Sequence, residues 1–169
     1  MDEVVPLKEC VVRIRALEES DLLRLEWEGG EDYRRYYRDE WRCHQAGTQP
    51  VLVAAFLGFP IGHVGINLED DPPAIVSLRV MEPFRDQGIG TALMRASERL
   101  CREQGFTTVS IGVNPANAAA RRLYERLGYE AIGDPYESEW FLIDRRGRRR
   151  RMGETVQTMM RRLDGPAAE

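Results

Sequence analysis

Lysine is almost missing from this chain. Lys8 is the only one in 169 residues, and arginine carries nearly all the positive charge. We read that as compositional bias, not mechanism. Cysteine is scarce too: Cys10, Cys43 and Cys101 are odd in number and far apart. That excludes a metal-ligand spacing or a disulfide framework and suits a reducing cytoplasm. Long hydrophobic runs are lacking; the longest, residues 51–57, is far too short to span a bilayer. The acidic opening Met1-Asp2-Glu3-Val4-Val5-Pro6 has neither the basic nor the apolar region of a signal peptide, so a cytoplasmic location is expected. With a net charge of −4 there is no global attraction to nucleic acid or an anionic membrane. No repeat, linker or composition shift divides the chain. Residues 1–163 are expected to form a single domain and 164–169 a short tail.

What is present is globular: 43% hydrophobic and 31% charged residues. Residues 11–16 alternate and are β-branched, which predicts a strand. Ser20 or Asp21 can cap a short helix through Trp27, and Tyr33, Tyr36, Tyr37, Trp41 and His44 recur at helical spacing before Gly47. Residues 51–57 and 61–68 flank Gly58-Phe59-Pro60 as a hairpin, and 74–81 form a strand. A long helix over 87–104 buries Ile89, Ala92, Leu93, Ala96 and Leu100. A strand at 107–113 leads to a helix opened by Asn117 and closed at Gly128. Two more strands are expected near 129–132 and 156–163. Residues 138–148 between them read as an extra hairpin or long loop.

The most informative stretch is Leu78-Arg79-Val80-Met81-Glu82-Pro83-Phe84-Arg85-Asp86-Gln87-Gly88-Ile89-Gly90-Thr91. A strand runs into Arg-x-x-Gly-x-Gly, and an amphipathic helix follows. Glycines allow a tight turn and a close backbone approach. The helix N-terminus offers free N–H groups and about half a positive charge. Such a turn holds a phosphate or pyrophosphate without a lysine.

A second block, Asn117-Ala118-Ala119-Ala120-Arg121-Arg122-Leu123-Tyr124-Glu125-Arg126-Leu127-Gly128-Tyr129, follows in order. Together the two blocks resemble the GNAT superfamily of acetyl-CoA-dependent N-acetyltransferases, over roughly residues 74–133. The resemblance implies an α/β (α+β) fold: a mixed, mostly antiparallel sheet of about six or seven strands flanked by helices, splayed around the cofactor. It implies that the backbone from Gln87 through Thr91, including Gly88, Ile89 and Gly90, takes the CoA pyrophosphate. Arg85 would add charge or brace the loop beside Asp86. Leu78, Arg79 and Val80 would pair with pantetheine, and the Val80 N–H would polarise the thioester carbonyl, a contribution of about 3–4 kcal/mol. Tyr124 would be the general acid, a phenol of pKa near 10 protonating a thiol of pKa near 8.5. Asn117, with Ala120 one turn on, bonds CoA, caps the helix, or does both.

The general base is not assigned. The strand Ala74-Ile75-Val76-Ser77-Leu78 holds no acid, where many of the family carry a glutamate. Glu69, Asp70, Asp71, Glu82, His63 and a water path remain open. The acceptor is expected to be a small-molecule or peptide amine, in a pocket drawn from Trp27, Tyr33, Tyr36 and Tyr136, whose rings beside carboxylates suit a cation. A homodimer is compatible; no metal is expected. Arg145, Arg146 and Arg148 through Arg151 form a basic cluster without aromatic interleaving, which argues against nucleic acid. Three rivals are a non-catalytic acyl-CoA-binding module, a dinucleotide oxidoreductase and an RNA adaptor. The second lacks the third glycine and the ribose-binding acid.

Overall fold

The computed structural model describes residues 11–25, 31–143 and 148–163. In chain order they form β1 (Val12–Ala16), α1 (Glu31–Ala46), β2 (Val51–Phe56), β3 (Phe59–Asn67), β4 (Ala74–Val80), α2 (Ile89–Glu103), β5 (Thr108–Val113), α3 (Ala118–Arg126), β6 (Glu130–Ile143) and β7 (Arg149–Arg162). All seven strands join one sheet in the order β1-β2-β3-β4-β5-β7-β6. Every neighbouring pair is antiparallel except β4 and β5. Those two are parallel because α2 carries the chain over the sheet between them.

Strand alternation sorts the apolar residues to two faces. Ala54, Val64, Ile66 and Ile75 pack with Leu93, Met94 and Cys101 of α2 in the larger core. Val51 and Val53 face the other way and pack with Leu17, Leu25 and Tyr37 of α1. The helices therefore cover opposite faces, and a molecule in a gap of the sheet would be reached from both.

That gap exists. β4 and β5 pair only at Ala74–Ser110 and Ile75–Ile111. Beyond Ile75 a bulge bends β4 away. Gly65 faces Val76 and His63 faces Arg79, so Val64 alone stands opposite both Ser77 and Leu78. Ser77 adopts φ 55°, a left-handed conformation that costs a non-glycine residue about 1–2 kcal/mol. Gly62 lets the bulged strand stay close, since a Cβ there would lie 2.9 Å from the Arg79 carbonyl oxygen.

Three sequence expectations change. The segment around Ser20 opens as a 3-10 turn, Glu19–Asp21, followed by turn residues at 22–24, rather than as one continuous helix; residues 26–30, with Trp27, lie outside the described residues. Asp21 is fully buried and is clasped by Arg15 through Nη1–Oδ2 at 2.6 Å and Nη2–Oδ1 at 2.8 Å. Burial pushes its carboxyl up, but the Arg15 fork and the Glu18 N–H hold it below the usual carboxylate range. The β2–β3 hairpin turns at Leu57 and Gly58, with φ of 50° and 78°, so Phe59 and Pro60 belong to β3. Paired positive φ values suit the strand twist of a two-residue turn. Finally, β6 and β7 are each continuous over 14 residues, paired from Glu130–Met160 to Ile143–Arg149. β7 pairs with β5 only from Gln157 to Arg162, so the part of the β6–β7 pair formed before Gln157 projects as a two-stranded ribbon. Arg148, Arg149 and Arg151 lie on this ribbon, while Arg145 and Arg146 fall outside the described residues.

One buried ion pair locks α2 to β7. Arg161 Nη1 donates to both oxygens of Glu98, at 2.9 and 2.8 Å, and the Tyr129 hydroxyl donates to Glu98 Oε1 at 3.0 Å. Side chains this buried have no water to replace a lost partner: they are 2% exposed for Glu98 and 8% for Arg161. Arg161→Ala should therefore cost about 3–5 kcal/mol in urea unfolding. Arg121→Ala, which removes an exposed pair with Glu125, should cost under about 0.5 kcal/mol. Equal losses would mean that the buried pair contributes nothing special.

Candidate active site

The divergence of β4 and β5 opens a cleft of about 560 Å³, walled by the end of β4, the turn before α2 and one side of α3. Its β4 wall is a free strand edge. The Met81 N–H donates to the Ile61 carbonyl at 2.8 Å, so Met81 faces β3, as the Arg79 carbonyl does. Backbone groups alternate sides along a strand, so the Val80 N–H and C=O face the gap. The Val80 carbonyl accepts from Arg85 Nε at 3.0 Å. Arg85 therefore braces the loop against β4 while lining the cleft.

The turn is built to present N–H groups. Asp86 has φ 60° and Gly88 φ 81°, and Gly88 is the left-handed N-cap of α2. No side chain caps this helix, and its first turn holds no acidic residue. The first intrahelical bond to Gly88 comes from the Ala92 N–H at 3.0 Å. The N–H groups of Ile89, Gly90 and Thr91 thus point out of the helix end, with the positive end of its dipole behind them. Left-handed residues in such a loop form an anion-binding concavity. A Cβ on Gly88 would meet nothing within 4 Å, so the space above the turn is open.

Helix α3 makes the third wall. Asn117 Oδ1 accepts from the Ala120 N–H at 3.1 Å, so its side chain is a cap while the residue also lines the cleft. Tyr124 lines the cleft at 6% exposure, its ring 6.1 Å from that of Tyr129. Burial pushes its phenol up to about 12. It is protonated at neutral pH and able to donate.

The structure brings together Leu78, Arg79, Val80, Arg85, Asp86, Gly88, Gly90, Thr91, Asn117, Ala120 and Tyr124. Gln87 and Ile89, expected to act through their backbone N–H groups, keep their side chains out of the cleft. Ile89 is 6% exposed and packs in the core, offering only its N–H. Gln87 turns its side-chain amide back to the Pro83 carbonyl at 3.2 Å. Sequence reasoning missed Phe84, Ala119, Arg122, Leu123 and Arg126, which also line the cleft. Arg122 and Arg126 stand one helical turn apart on the side of Tyr124's helix that faces the gap, a spacing visible in the sequence.

Across the sheet, on the α1 face, lies a second polar group. Tyr36 donates to Glu40 Oε1 at 2.6 Å and shares a 2.6 Å hydrogen bond with Ser77 Oγ, while Gln49 Nε2 donates to Glu40 at 3.4 Å. Burial, then the Glu40 charge, pushes the Tyr36 phenol well above its ordinary value. Tyr36 is thus committed to a polar chain rather than standing as a free pocket wall. Tyr136 is 51% exposed on the ribbon. Trp27 and the Tyr33 side chain lie outside the described residues. His63, 1% exposed, is held near pKa 4, first by burial and then by Arg79. It is neutral at pH 7 and a poor base. Glu69, Asp70, Asp71 and Glu82 are exposed. Burial pushes the Cys101 thiol up to about 11, so it is inert. Among the described residues no group of three or more His, Cys, Asp or Glu is placed to hold a metal, and no helix is long and apolar enough to cross a membrane.

Residues 14–129 match the family model of the Acetyltransferase (GNAT) family, and the chain belongs to that family. It is 37% identical over 96 residues, 56% of this chain and 47% of the relative, to an N-alpha-acetyltransferase of Sulfurisphaera tokodaii. It is 29% identical over 76 residues, 45% of this chain and 50% of the relative, to a putative [ribosomal protein bS18]-alanine N-acetyltransferase of Bacillus subtilis. The match spans half or less of the length of these curated relatives. Two solved structures share the fold. A putative acetyltransferase from Salmonella typhimurium, with its cofactor acetyl-CoA, superposes at TM-score 0.66 with 18% identity, covering 94% of this chain and 98% of that one. The ribosomal-protein-S18-alanine N-acetyltransferase of Escherichia coli gives 0.67 and 18%, covering 93% and 97%.

The cap on α3 has a consequence for stability. Asn117→Ala removes the side-chain cap on the first turn of the helix that carries Tyr124 and should lower unfolding free energy by about 1 kcal/mol. Thermal denaturation measures it; an unchanged midpoint would show that the cap is redundant.

Proposed function

We propose that this chain transfers an acetyl group from acetyl-CoA to a primary amine by direct attack, without a covalent enzyme intermediate. One observation carries the reading. A helix N-terminus with no acidic residue, an edge of β4 with no strand partner and a buried phenol all open on one cleft. The residues fit the cosubstrate: open space and outward N–H groups suit a pyrophosphate, and a free strand edge suits the amides of pantetheine.

Acetyl-CoA would supply the activated acetyl group. The N–H groups from Gly88 to Thr91 hold the anion, with Arg85, Arg122 and Arg126 adding charge along the cleft. The Val80 N–H faces the gap as a fixed donor for charge developing on the carbonyl oxygen. Tyr124 gives its proton to the departing sulfur. The family match ends at residue 129, but β7 pairs with β5 and carries Arg161, so we take residues 1–163 as one catalytic domain.

Proton energetics favour an α-amine of a peptide over an alkyl amine. At about pH 7.5 an alkyl ammonium with pKa near 10.4 needs about 4 kcal/mol to lose its proton. An α-amino group with pKa near 7.8 needs under about 1 kcal/mol. A site without a carboxylate in β4 suits the second. A peptide with an N-terminal alanine is the first acceptor to test, beside a polyamine and free amino acids.

Calorimetry with acetyl-CoA and with NAD tests the cosubstrate: micromolar acetyl-CoA binding without NAD binding is expected, and no acetyl-CoA binding would end the reading. Gly88→Val should weaken that binding at least tenfold, since a β-branched residue resists φ near 81° although no atom blocks it. Unchanged affinity would remove the turn from the site. Tyr124→Phe should lower turnover by about 10²–10⁴ with near-normal acetyl-CoA affinity. Because burial holds the phenol up to about 12, it is protonated below that pH, and wild type should show no activity loss from Tyr124 between about pH 6 and 9. A rate for the variant within a few-fold of wild type would take Tyr124 out of the mechanism.

A further inference from the structure

The amine must shed protons, and the strand that lines the gap offers no carboxylate. A buried carboxylate nevertheless reaches it from α1. Glu40 is 5% exposed and is linked through the Tyr36 hydroxyl to Ser77, two bonds of 2.6 Å in series. Ser77 sits on the bulge where β4 leaves β5, next to Leu78 in the cleft wall. The chain approaches the gap from the α1 face, opposite the face of α2 and its anion turn.

The hydrogen bonds have a direction. An ionised carboxylate only accepts, so the single Tyr36 proton goes to Glu40. The Tyr36 oxygen must then accept from Ser77, and Ser77 Oγ is left with its lone pairs for a further donor. A polar chain whose open end accepts suits an ammonium or amine N–H. The left-handed backbone at Ser77, otherwise a cost without return, places that hydroxyl at the junction.

We infer that Ser77, Tyr36 and Glu40 form the path by which the acceptor amine loses its proton, with Glu40 as the terminal acceptor. This rests on the acetyltransferase reading and completes it. The ammonium proton moves to Ser77 Oγ as Ser77 passes its own to Tyr36 and Tyr36 passes its own to Glu40, which becomes a carboxylic acid. The freed nitrogen bonds the acetyl carbon as the carbon–sulfur bond breaks. Tyr124 protonates the sulfur and is itself restored, through water, by the second nitrogen-bound proton. Glu40 then releases its proton to solvent. Arg79 from β4 and His63 from β3 are the charged and titratable groups beside this chain; the Arg79 charge acts on the Tyr36 phenol against the stronger effects of burial and Glu40, and His63 is neutral. Gln49, bonded to the same oxygen, holds Glu40 in place.

The test compares wild type with Tyr36→Phe, Glu40→Gln and Ser77→Ala, using the alanine peptide and a polyamine, over pH 6–10, with acetyl-CoA affinity measured in parallel. Each variant is expected to bind acetyl-CoA within about threefold of wild type and to lose about 10²-fold in kcat near neutral pH. The loss should shrink as pH rises and the free amine appears, and it should be larger for the polyamine than for the α-amine. Ser77→Ala and Tyr36→Phe keep the inference testable should the buried Glu40→Gln fail to fold. Variants that fall equally at every pH, or that match wild type, would overturn the path while leaving the acetyltransferase reading intact. A wild type that binds acetyl-CoA but acetylates none of these amines would overturn both.

Discussion

Everything in this molecule that bears on chemistry follows from β4 leaving β5 after two paired residues. A sheet with no break there would satisfy the Val80 backbone groups, close the cleft and leave the α2 N-terminus facing a covered edge. The bulge at Ser77 and Leu78 enforces the break. It inserts an extra residue into β4, bends the strand and sets one hydroxyl toward α1. Burial by helices on both faces makes the break affordable. The pairing lost between β4 and β5 is offset by the apolar contacts of Ile75, Leu93 and Met94 on one side and Val51, Val53 and Tyr37 on the other.

The two sides of the gap divide the electrostatic work. On the α2 side positive potential comes from backbone dipoles and from arginines that keep their charge at any working pH. On the α1 side a carboxylate sits behind two hydroxyls. Tyr124 stands between, a phenol held neutral by burial. On the proposed function, an anionic cosubstrate and a cationic acceptor would be met by opposite charges from opposite faces, and neither would have to pass the other's attracting groups.

Much of this was legible in the sequence where local chemistry dictates local structure. Gly88 and Gly90 announced the turn, Asn117 the cap, and Ile89, Leu93 and Ala96 the buried side of α2, although Ala92 of the expected stripe is exposed and Leu100 only half-buried. The failures share a cause: each depends on contacts that residue periodicity and capping signals do not encode. Nothing local says that Asp21 will be held by Arg15 in a 3-10 turn, or that Leu57 will take a positive φ because the strand twist demands it. The β6–β7 ribbon was expected as two short strands with an extra hairpin or long loop between them, whereas pairing resumes at Tyr136–Val156 after a shift in register and joins them into one ribbon. The site shows the same division. Its backbone donors were predictable, but a search for an acid within β4 could not find Glu40, the proposed base, which lies 37 residues before Ser77 and is linked to it through Tyr36 only after α1 has packed.

The buried Glu98–Arg161 pair bears on the same question of placement. Apolar residues of similar volume would often be as stable as such a pair, or more so, so its retention is not explained by stability alone. Its geometry supplies a reason. Glu98 holds the Tyr129 hydroxyl, and the Tyr129 ring packs on that of Tyr124. The pair therefore ties α2, which supplies the anion turn, to β7 and to the ring that backs the phenol. A hydrophobic replacement would keep the layers together but leave the Tyr129 hydroxyl without its buried acceptor and its ring free to shift. A displacement of about 1 Å at a reacting group can cost about 10²-fold in rate. On the proposed mechanism, the ion pair fixes the distance between the turn that would hold the anion and the phenol that would give up the proton.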